Sequence, residues 1–437
     1  MDSQKSVKLF KNQSYLQMSF TLMLFFASWA IWWSFFQIWL TSESNGLGLS
    51  GSSVGTIYST NSFVTLILMF FYGVFQDKLV IKRTLLIFCS TLSVLVGPFF
   101  VWLYGPLIES NFILALIIGS LFLSAGFLSA AGIYEAVSER FSRFFNFNYG
   151  QARAWGSFGY AISALVAGFL FVINPNLNFW VGSLLGLTLL IILIFWKSKS
   201  EKVIDEKVKD ENSETSAPQL KEVLNLLKVK DVWIIITFIM FTWSFYTIYD
   251  QQMFPDFYTK LFSSPEFGQQ MYGTLNSIQV FFEAFMMALV PIIMMKIGVK
   301  RTLILGVIVM FFRIGLSGVF NDPTIVSIIK MLHALEVPLF SLPMFRYITL
   351  HFDTKLSATL YMIGFQIAAQ VGQVILSTPL GILRDYVGYE KTFFVIITII
   401  FITGIFATFQ LKNDNQNVYG APFIKNRKRD MYGTAIY

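Results

Sequence analysis

Twelve long apolar segments constrain the fold of this chain more than any other feature of its sequence. They lie at residues 15–40, 55–76, 84–104, 111–140, 149–173, 178–196, 232–254, 271–295, 302–320, 323–349, 356–381 and 392–411. Each is about 20 residues or longer, which is enough for a helix to cross the hydrocarbon layer of a bilayer. Backbone polar groups in lipid need partners within the chain, and the ten-residue alternation of β-barrel strands is missing, so each segment is predicted to be a helix. The sequence therefore predicts an all-α membrane protein with twelve transmembrane helices.

The composition agrees with a bilayer as the solvent and argues against several classes of function. Only 13% of the residues are charged, whereas a soluble domain carries roughly a quarter. The sequence contains no P-loop, no HExxH motif and no Cys/His cluster, so we expect no ATP-driven step, no metal, no cofactor and no enzymatic activity. Its single cysteine, Cys89, rules out an intrachain disulfide and is interpreted as a small buried hydrophobe.

The positive charges predict how the chain is oriented in the membrane. With a cytosolic N-terminus, the cytosolic segments hold 25 of the 32 Lys and Arg residues, and the opposite loops hold only Lys260, Arg384 and Lys391. Because loops rich in Lys and Arg stay in the cytosol, we expect a multi-pass protein of the cell (cytoplasmic) membrane with both termini cytosolic. The net charge of +7 follows from this topology, so it indicates a lipid bilayer as the partner and no nucleic acid.

A polar stretch divides the twelve helices into two sets of six. Residues 197–231 are rich in Lys, Glu, Asp and Ser and nearly free of aromatic residues, as is typical of a flexible linker. The predicted units are an N-terminal six-helix bundle (1–196), a cytosolic linker (197–231), a C-terminal six-helix bundle (232–411) and a cytosolic tail (412–437). The loops KLVIKR (78–83) and KIGVKR (296–301) match chemically at five of six positions. The bundles are therefore expected to be repeats, with a substrate site between them near the midplane.

Eight ionisable residues of the apolar segments are candidates for charges buried within the membrane. A charge at the centre of a lone helix costs about 3 kcal/mol on insertion scales, so each is expected to face a partner or a watery cavity. The eight are Glu135, Arg153, Asp250, Glu283, Arg313, Lys330, His333 and Glu336. Asp250 and Lys330 are placed at comparable depth with opposite charge, and we interpret them as a structural ion pair.

Three of these residues share the segment KMLHALEVP (330–338). Steps of three residues place Lys330, His333 and Glu336 on one broad helix face. Glu336 is predicted to carry a proton, because a carboxyl group inside a membrane is a functional candidate by default, and Arg313 is expected to assist its deprotonation. His333 either transfers a proton itself or stays neutral and hydrogen-bonds a backbone carbonyl or Glu283.

Glu135 and Arg153 flank a short hairpin and lie at similar depth. They are interpreted either as a helix-end ion pair or as the lining of the inner half of a cavity. In the second case the guanidinium group would suit paired hydroxyl groups, as it suits carboxylates. Tyr160, Gln279 and Glu283 are further candidates for the wall of the pocket.

Several motifs together resemble the major facilitator superfamily and, within it, the oligosaccharide:proton symporters. They are YGVFQDKLVIKR (72–83), GIYEAVSER (132–140), GQARAWGSFGYA (150–161), FYTIYDQQMF (245–254), KMLHALEVP (330–338) and FDTKLSATLYMIGFQ (352–366). The resemblance implies two repeat-related six-helix bundles and proton-coupled symport of a disaccharide into the cell by alternating access, performed by a functional monomer. Sucrose is the first candidate. The alternatives are another substrate (raffinose, maltose or lactose), sodium as the coupling ion, or a sugar sensor that does not transport.

The resemblance also implies which residues hold the sugar. Glu135 and Arg153 would bind sugar hydroxyl groups, and His333 would accept a hydrogen bond in the sugar site. Tyr160 would take the place of the tryptophan that stacks on the sugar in the lactose-transporting branch of the family. These roles are expectations that come from the matching motifs, and they agree with the cavity interpretation of Glu135 and Arg153.

The same resemblance implies a proton site and a charge pair. Glu336 would be the proton site with Arg313 assisting its deprotonation, and Asp250 with Lys330 would be a charge pair. The family's cytosolic loop signature falls on Gly73, Asp77, Lys78, Lys82 and Arg83.

Three departures from the lactose-transporting branch stand out. The glutamate of helix eight in that branch falls on Val280, and Glu283 follows one helical turn later, which argues against lactose as the substrate. A second charge pair falls on Thr247 and Ala369, so both partners are absent together. The glycine usual in the loop signature is Val80.

Overall fold

The structure, a computed structural model, describes residues 12–79, 83–196, 228–352, 360–416 and 418–420, apart from the side chains of 73–79 and 362. Most of the predicted linker and the last part of the predicted tail lie outside these ranges. In the loop signature, Lys82 and the side chains of Asp77 and Lys78 lie outside them as well.

Within these ranges, twelve helices are long and apolar enough to cross a membrane when one bent pair is counted as a single span, as the sequence predicted. They are α1 (Gln13–Thr41), α2 (Gly51–Leu79), α3 (Thr84–Val94 and Val96–Ser110), α4 (Phe112–Phe144), α5 (Tyr149–Ile173), α6 (Asn176–Phe195), α7 (Lys230–Thr259), α8 (Pro265–Ile297), α9 (Val299–Val319), α10 (Pro323–His351), α11 (Ile363–Val387) and α12 (Tyr389–Gln410).

Local signals explain where many of the helices begin and end. The side chain of Asn12 accepts hydrogen bonds from the backbone N–H groups of Ser14 and Tyr15, and Asp322 caps the start of α10 in the same way. Gly298 and Gly388, at φ 95° and 85°, separate α8 from α9 and α11 from α12. Only glycine adopts such a backbone conformation without a steric penalty.

Several helices depart from straight α-geometry, and the departures in α7 and α10 lie close to the predicted site. α3 bends by 47° between its two segments. α7 contains a π-helical turn over Tyr249–Met253. In α10 the α-helical hydrogen-bond ladder is interrupted at Leu332, whose N–H bonds to the oxygen of Ile329 at 3.0 Å. Such irregular turns change the direction of the side chains that follow them and are frequent at functional sites.

The helices pack most closely within each set of six and along two seams between the sets. α1 packs against α5 and α6, and α9 packs against α10 and α12. The seams between the first six and the last six helices run along α5 with α8 and along α2 with α11. At the start of α3, Nη1 of Arg83 donates to the backbone oxygens of Leu193 (2.9 Å) and Trp196 (2.8 Å). These hydrogen bonds link the start of α3 to the end of α6.

Both seams are tight at one end of the molecule, which we call the closed end: the helix ends at residues 41, 51, 173, 265 and 387. A Cβ atom at Gly55 would collide with the backbone oxygen of Ser377, and one at Gly273 would lie 2.9 Å from the oxygen of Ala164. The two seams therefore depend on glycine for their close approach. The backbone N–H of Asp256 donates to Oε1 of Gln37 at 3.0 Å, so hydrogen bonds also join the two sets of helices at this end.

Candidate functional site

Two adjoining cavities lie between the two sets of helices. The first has a volume of about 290 Å³ and is bounded by α1, α2, α5, α7, α8 and α10. The second has a volume of about 520 Å³ and reaches α4 and α11. Seven residues line both: Trp29, Trp33, Tyr58, Tyr246, Gln251, Glu283 and His333. Ligand pockets generally measure roughly 300–1,000 Å³ and combine aromatic walls with a few polar groups, as these do.

The residues predicted to hold a sugar lie around these cavities. Arg153, Tyr160, Gln279, Glu283 and His333 line the first cavity. Glu135 lines the second. All six come together although they are distributed over α4, α5, α8 and α10. Their roles toward a sugar remain predictions.

Glu135 and Arg153 form an ion pair between α4 and α5. Nε of Arg153 donates to Oε1 of Glu135 at 2.6 Å, and their side chains are 31% and 37% exposed, respectively. Nη1 of Arg153 contacts Oγ of Ser157 at 3.3 Å, and its guanidinium carbon lies 4.1 Å from the ring centre of Phe26. The two interpretations from the sequence are thus compatible, because the residues pair with each other and also line the cavities.

Asp250 is the centre of a larger charge cluster than the predicted pair with Lys330. Its Oδ1 accepts hydrogen bonds from Nη1 of Arg313 at 2.9 Å and from Nζ of Lys330 at 3.1 Å, and it lies 3.1 Å from Nδ1 of His333. Lys330 is therefore one of three partners. Asp250 lies in the π-helical turn of α7, and Asp250 lines the first cavity.

The hydrogen-bond partners of His333 differ from those suggested by the sequence. Its ring contacts Asp250 at 3.1 Å and the hydroxyl group of Tyr246 at 3.2 Å. Within the described residues neither a backbone carbonyl nor Glu283 bonds to it, so that expectation is wrong. His333 directly follows the interruption of α10 at Leu332, and such an irregular turn changes the direction of a side chain from the one that uniform helix spacing predicts.

Glu336 and Arg313 form a buried pair beside this cluster. Nε of Arg313 lies 2.5 Å from Oε2 of Glu336, and both side chains are fully buried. Unlike Asp250, these two residues line neither cavity. Arg313 connects them to the cavity, since the same guanidinium contacts Asp250.

Some residues of the cavity wall carry no charge and were missed in the sequence. Asn276 lines the first cavity from α8, and Gln37 and Gln251 line it from α1 and α7. A neutral amide costs less to bury than a charge does, so it carries no signal comparable to that of a buried charge. The spacing of Asn276, Gln279 and Glu283 would have revealed Asn276, because steps of three and four residues follow one helix face.

Comparisons with known proteins show the family of this chain. Residues 7–422 match the family model described as LacY proton/sugar symporter. The chain is 42% identical to the sucrose permease of Escherichia coli over 409 residues, which cover 94% of this chain and 96% of that protein. It is 33% identical to the raffinose permease of Escherichia coli, with 93% and 95% covered. It is 32% identical to the lactose permease of Klebsiella oxytoca, with 86% and 90% covered.

Solved structures match the architecture at low sequence identity. The nucleoside transporter NupG superimposes with a TM-score of 0.77 at 14% identity, over 91% of this chain and 99% of that one. A D-xylose-proton symporter superimposes with a TM-score of 0.64 at 13% identity, over 93% of this chain and 99% of that one. At such identity the likeness concerns the fold alone.

Proposed function

The chain belongs to the LacY proton/sugar symporter family, and from this membership we propose that it carries sucrose together with a proton into the cell. The family and the major facilitator fold predicted from the sequence are confirmed, as is the prediction of a membrane transporter that is not an enzyme. Sucrose is proposed because the 42% identical relative is a sucrose permease. The observation in this molecule that carries the proposal is the connection from a polar, aromatic-walled cavity through Asp250 and Arg313 to the buried Glu336.

The proposed sugar site takes hydroxyl-binding groups from both sets of helices. Arg153 offers donors on one side, and its pairing with Glu135 keeps the guanidinium plane oriented toward the cavity. Glu283 faces both cavities and has no ion-pair partner among the described residues, so its oxygens are available to sugar hydroxyl groups. Gln279 adds a buried amide oxygen without a hydrogen-bond partner there. Tyr160 supplies an aromatic face.

Proton coupling is proposed to run through one guanidinium group. Arg313 contacts the carboxylates of both Glu336 and Asp250. A proton on Glu336 removes one of these two negative charges and leaves Asp250 as the carboxylate partner of Arg313. Because Asp250 and His333 line the sugar cavity, the protonation of Glu336 changes the charge balance at the sugar site. Uphill transport requires that the unprotonated carrier bind sugar poorly.

Alternating access is proposed to separate the two sets of helices at the closed end. The predicted bundles, 1–196 and 232–411, would be the moving units, and linker 197–231 would join them. By the distribution of Lys and Arg, the closed end faces away from the cytosol and both termini lie in it. We further propose a functional monomer in the inner membrane of a bacterial cell, because the relatives named above are bacterial permeases.

The proposal is tested by replacing Glu336 with glutamine, which has nearly the same shape and carries no proton that it can release. Glu336→Gln should abolish uphill sucrose accumulation and leave exchange of sucrose between the two faces of the membrane. Glu109→Gln, at an exposed carboxylate of α3, is the control and should accumulate sucrose normally. A Glu336→Gln protein that still concentrates sucrose would refute the assignment of the proton site.

The coupling ion is tested separately in de-energised vesicles. Addition of sucrose should make the outer medium alkaline as protons enter with the sugar. Sodium-dependent uptake without this alkalinisation would show sodium as the coupling ion. Sucrose binding without any flux would show a sensor.

A further inference from the structure

The guanidinium group of Arg313 faces aromatic rings as well as carboxylates. Its central carbon lies 4.8 Å from the ring centre of Tyr249 and 5.4 Å from that of Tyr246. A guanidinium group within about 6 Å of a ring centre is attracted by the negative face of the ring, most strongly where water is excluded. Nη2 of Arg313 has no hydrogen-bond partner among the described residues, so the two rings supply stabilisation that further hydrogen bonds do not.

One face of α7 presents both rings and a carboxylate to Arg313. Tyr249 and Asp250 lie three and four residues after Tyr246, and residues at this spacing share a helix face. All three contact the guanidinium group. Tyr246 lines both cavities and Asp250 lines the first, whereas Tyr249 lines neither. Tyr249 can therefore act on Arg313 without touching a sugar.

The ring of Tyr249 is fixed relative to α9. Its hydroxyl group donates to Oγ of Ser317 at 2.8 Å, and Oγ of Ser317 donates to the backbone oxygen of Arg313 at 2.9 Å. Phe393 of α12 packs edge-to-face against the same ring, with 4.9 Å between the ring centres. Tyr249 is completely buried. These contacts tie the ring to the helix turn that carries Arg313, and they do not depend on either carboxylate.

We propose that Tyr249 is a positioning residue for proton coupling, because its ring keeps the guanidinium group of Arg313 beside Glu336 whether or not Glu336 carries a proton. A proton on Glu336 removes one of the two negative charges that hold Arg313, whereas the attraction to a neutral ring is unchanged. Arg313 then remains where it favours the ionised form of Glu336. This inference rests on the proposed function, in which Glu336 is the proton site.

The test compares two modes of transport in the same vesicles. Uphill accumulation of sucrose requires Glu336 to release its proton, whereas exchange of sucrose between the two faces does not. Tyr249→Leu removes the ring and should lower the initial rate of accumulation at least tenfold, while the exchange rate and the sucrose KM change less than threefold. Tyr249→Phe keeps the ring face and should retain about half of the parent rate or more.

Tyr258 is the matched control on the same helix. It is fully buried, and its hydroxyl group hydrogen-bonds Oγ of Ser327 at 2.7 Å. It lies nine residues beyond Tyr249, which is about 13 Å along a helix. Tyr258→Leu therefore removes a similar ring and a similar hydrogen bond at a distance from Arg313. It should change accumulation and exchange by similar factors.

A second substitution tests the electrostatic attraction at nearly constant shape. Trifluorinated phenylalanine in place of Tyr249 has almost the size of phenylalanine, but its ring face attracts a cation much less. This protein should accumulate sucrose at least threefold more slowly than Tyr249→Phe and should exchange it equally fast. The same comparison decides the case in which Tyr249→Leu fails to fold.

The possible failures are distinguishable from one another. A parent protein that does not accumulate sucrose, or a Glu336→Gln protein that does, overturns the proposed function and this inference with it. Where both behave as proposed, three results overturn the role of Tyr249 alone. They are parental accumulation in Tyr249→Leu, an equal loss of accumulation and exchange in Tyr249→Leu, and equal accumulation with the fluorinated and unfluorinated rings.

Discussion

The carboxylate of Asp385 joins the two sets of helices at the closed end, and its removal should shift the carrier toward a state open at that end. Its Oδ1 accepts the backbone N–H of Gly51 at 2.6 Å, and its Oδ2 accepts that of Ser52 at 2.7 Å. Both N–H groups belong to the first turn of α2, where a negative charge is favoured. α2 also has a cap of its own, because Oγ of Ser50 accepts the N–H of Ser53 at 3.2 Å. Loss of Asp385 therefore weakens the contact between helices and leaves α2 itself formed.

The size of the effect follows from the two hydrogen bonds and their exposure. A hydrogen bond to a charged group contributes about 1.5–3 kcal/mol in a buried setting. The Asp385 side chain is 29% exposed, so solvent screening reduces this, and we take about 1–2 kcal/mol for both bonds together. Since 1.4 kcal/mol is a factor of ten, Asp385→Ala should raise the ratio of open to closed molecules by about 5- to 30-fold.

The assay measures how fast a cavity cysteine reacts from the side of the closed end. A reporter Val280→Cys, in a Cys89→Ala background, places a thiol in the wall of the first cavity. An impermeant maleimide is added to right-side-out vesicles, and the alkylation rate reports the population of open molecules. Inside-out vesicles show whether the reagent enters from the opposite side.

The chain supplies a matched control at Asp414. Its carboxylate caps α9 through the N–H groups of Val299 (2.7 Å) and Lys300 (3.1 Å), which is the same chemistry within one set of helices. Asp414→Ala should therefore leave the alkylation rate unchanged. An unchanged rate in Asp385→Ala, or an equal rise in Asp414→Ala, would contradict the reasoning.

Three further predictions concern the charge network, the sugar and the seams. Arg313→Met leaves Glu336 buried without its cation and should lower the free energy of unfolding by about 3–5 kcal/mol. Arg313→Met/Glu336→Gln should recover most of that stability in thermal unfolding without restoring sugar accumulation. An Arg313→Met protein as stable as the parent would exclude the pairing of Arg313 with Glu336. Arg153→Lys loses the planar donor pair and should raise the sucrose KM at least tenfold; an unchanged KM would remove Arg153 from the sugar site. A Cβ atom at residue 273 would lie 2.9 Å from the backbone oxygen of Ala164, so Gly273→Leu forces a side chain into the seam between α5 and α8. It should accelerate alkylation in the assay above. An unaltered rate would show that the seam tolerates the larger side chain.

The sequence alone determined the number of spans, their approximate limits and several charged residues that line the cavities. Whether a segment of about 20 residues enters a bilayer depends on the composition of that segment, so the segment's own sequence is enough to predict a span. A charge in such a segment is costly enough to be a signal in itself. For that reason Glu135, Arg153, Glu283 and His333 could be named in advance, and the structure places all four at the cavities.

Only the tertiary structure decided which of these groups meet. The pair expected between Asp250 and Lys330 became a cluster that also holds Arg313 and His333. These contacts join residues 63 to 83 positions apart in the chain, and their directions depend on irregular turns in α7 and α10 that no periodic pattern predicts. A hydrogen bond requires its two side chains to be placed within a few tenths of an ångström, and that placement is set by the packing of helices distant in sequence. The transfer of a segment into lipid, in contrast, depends on that segment alone.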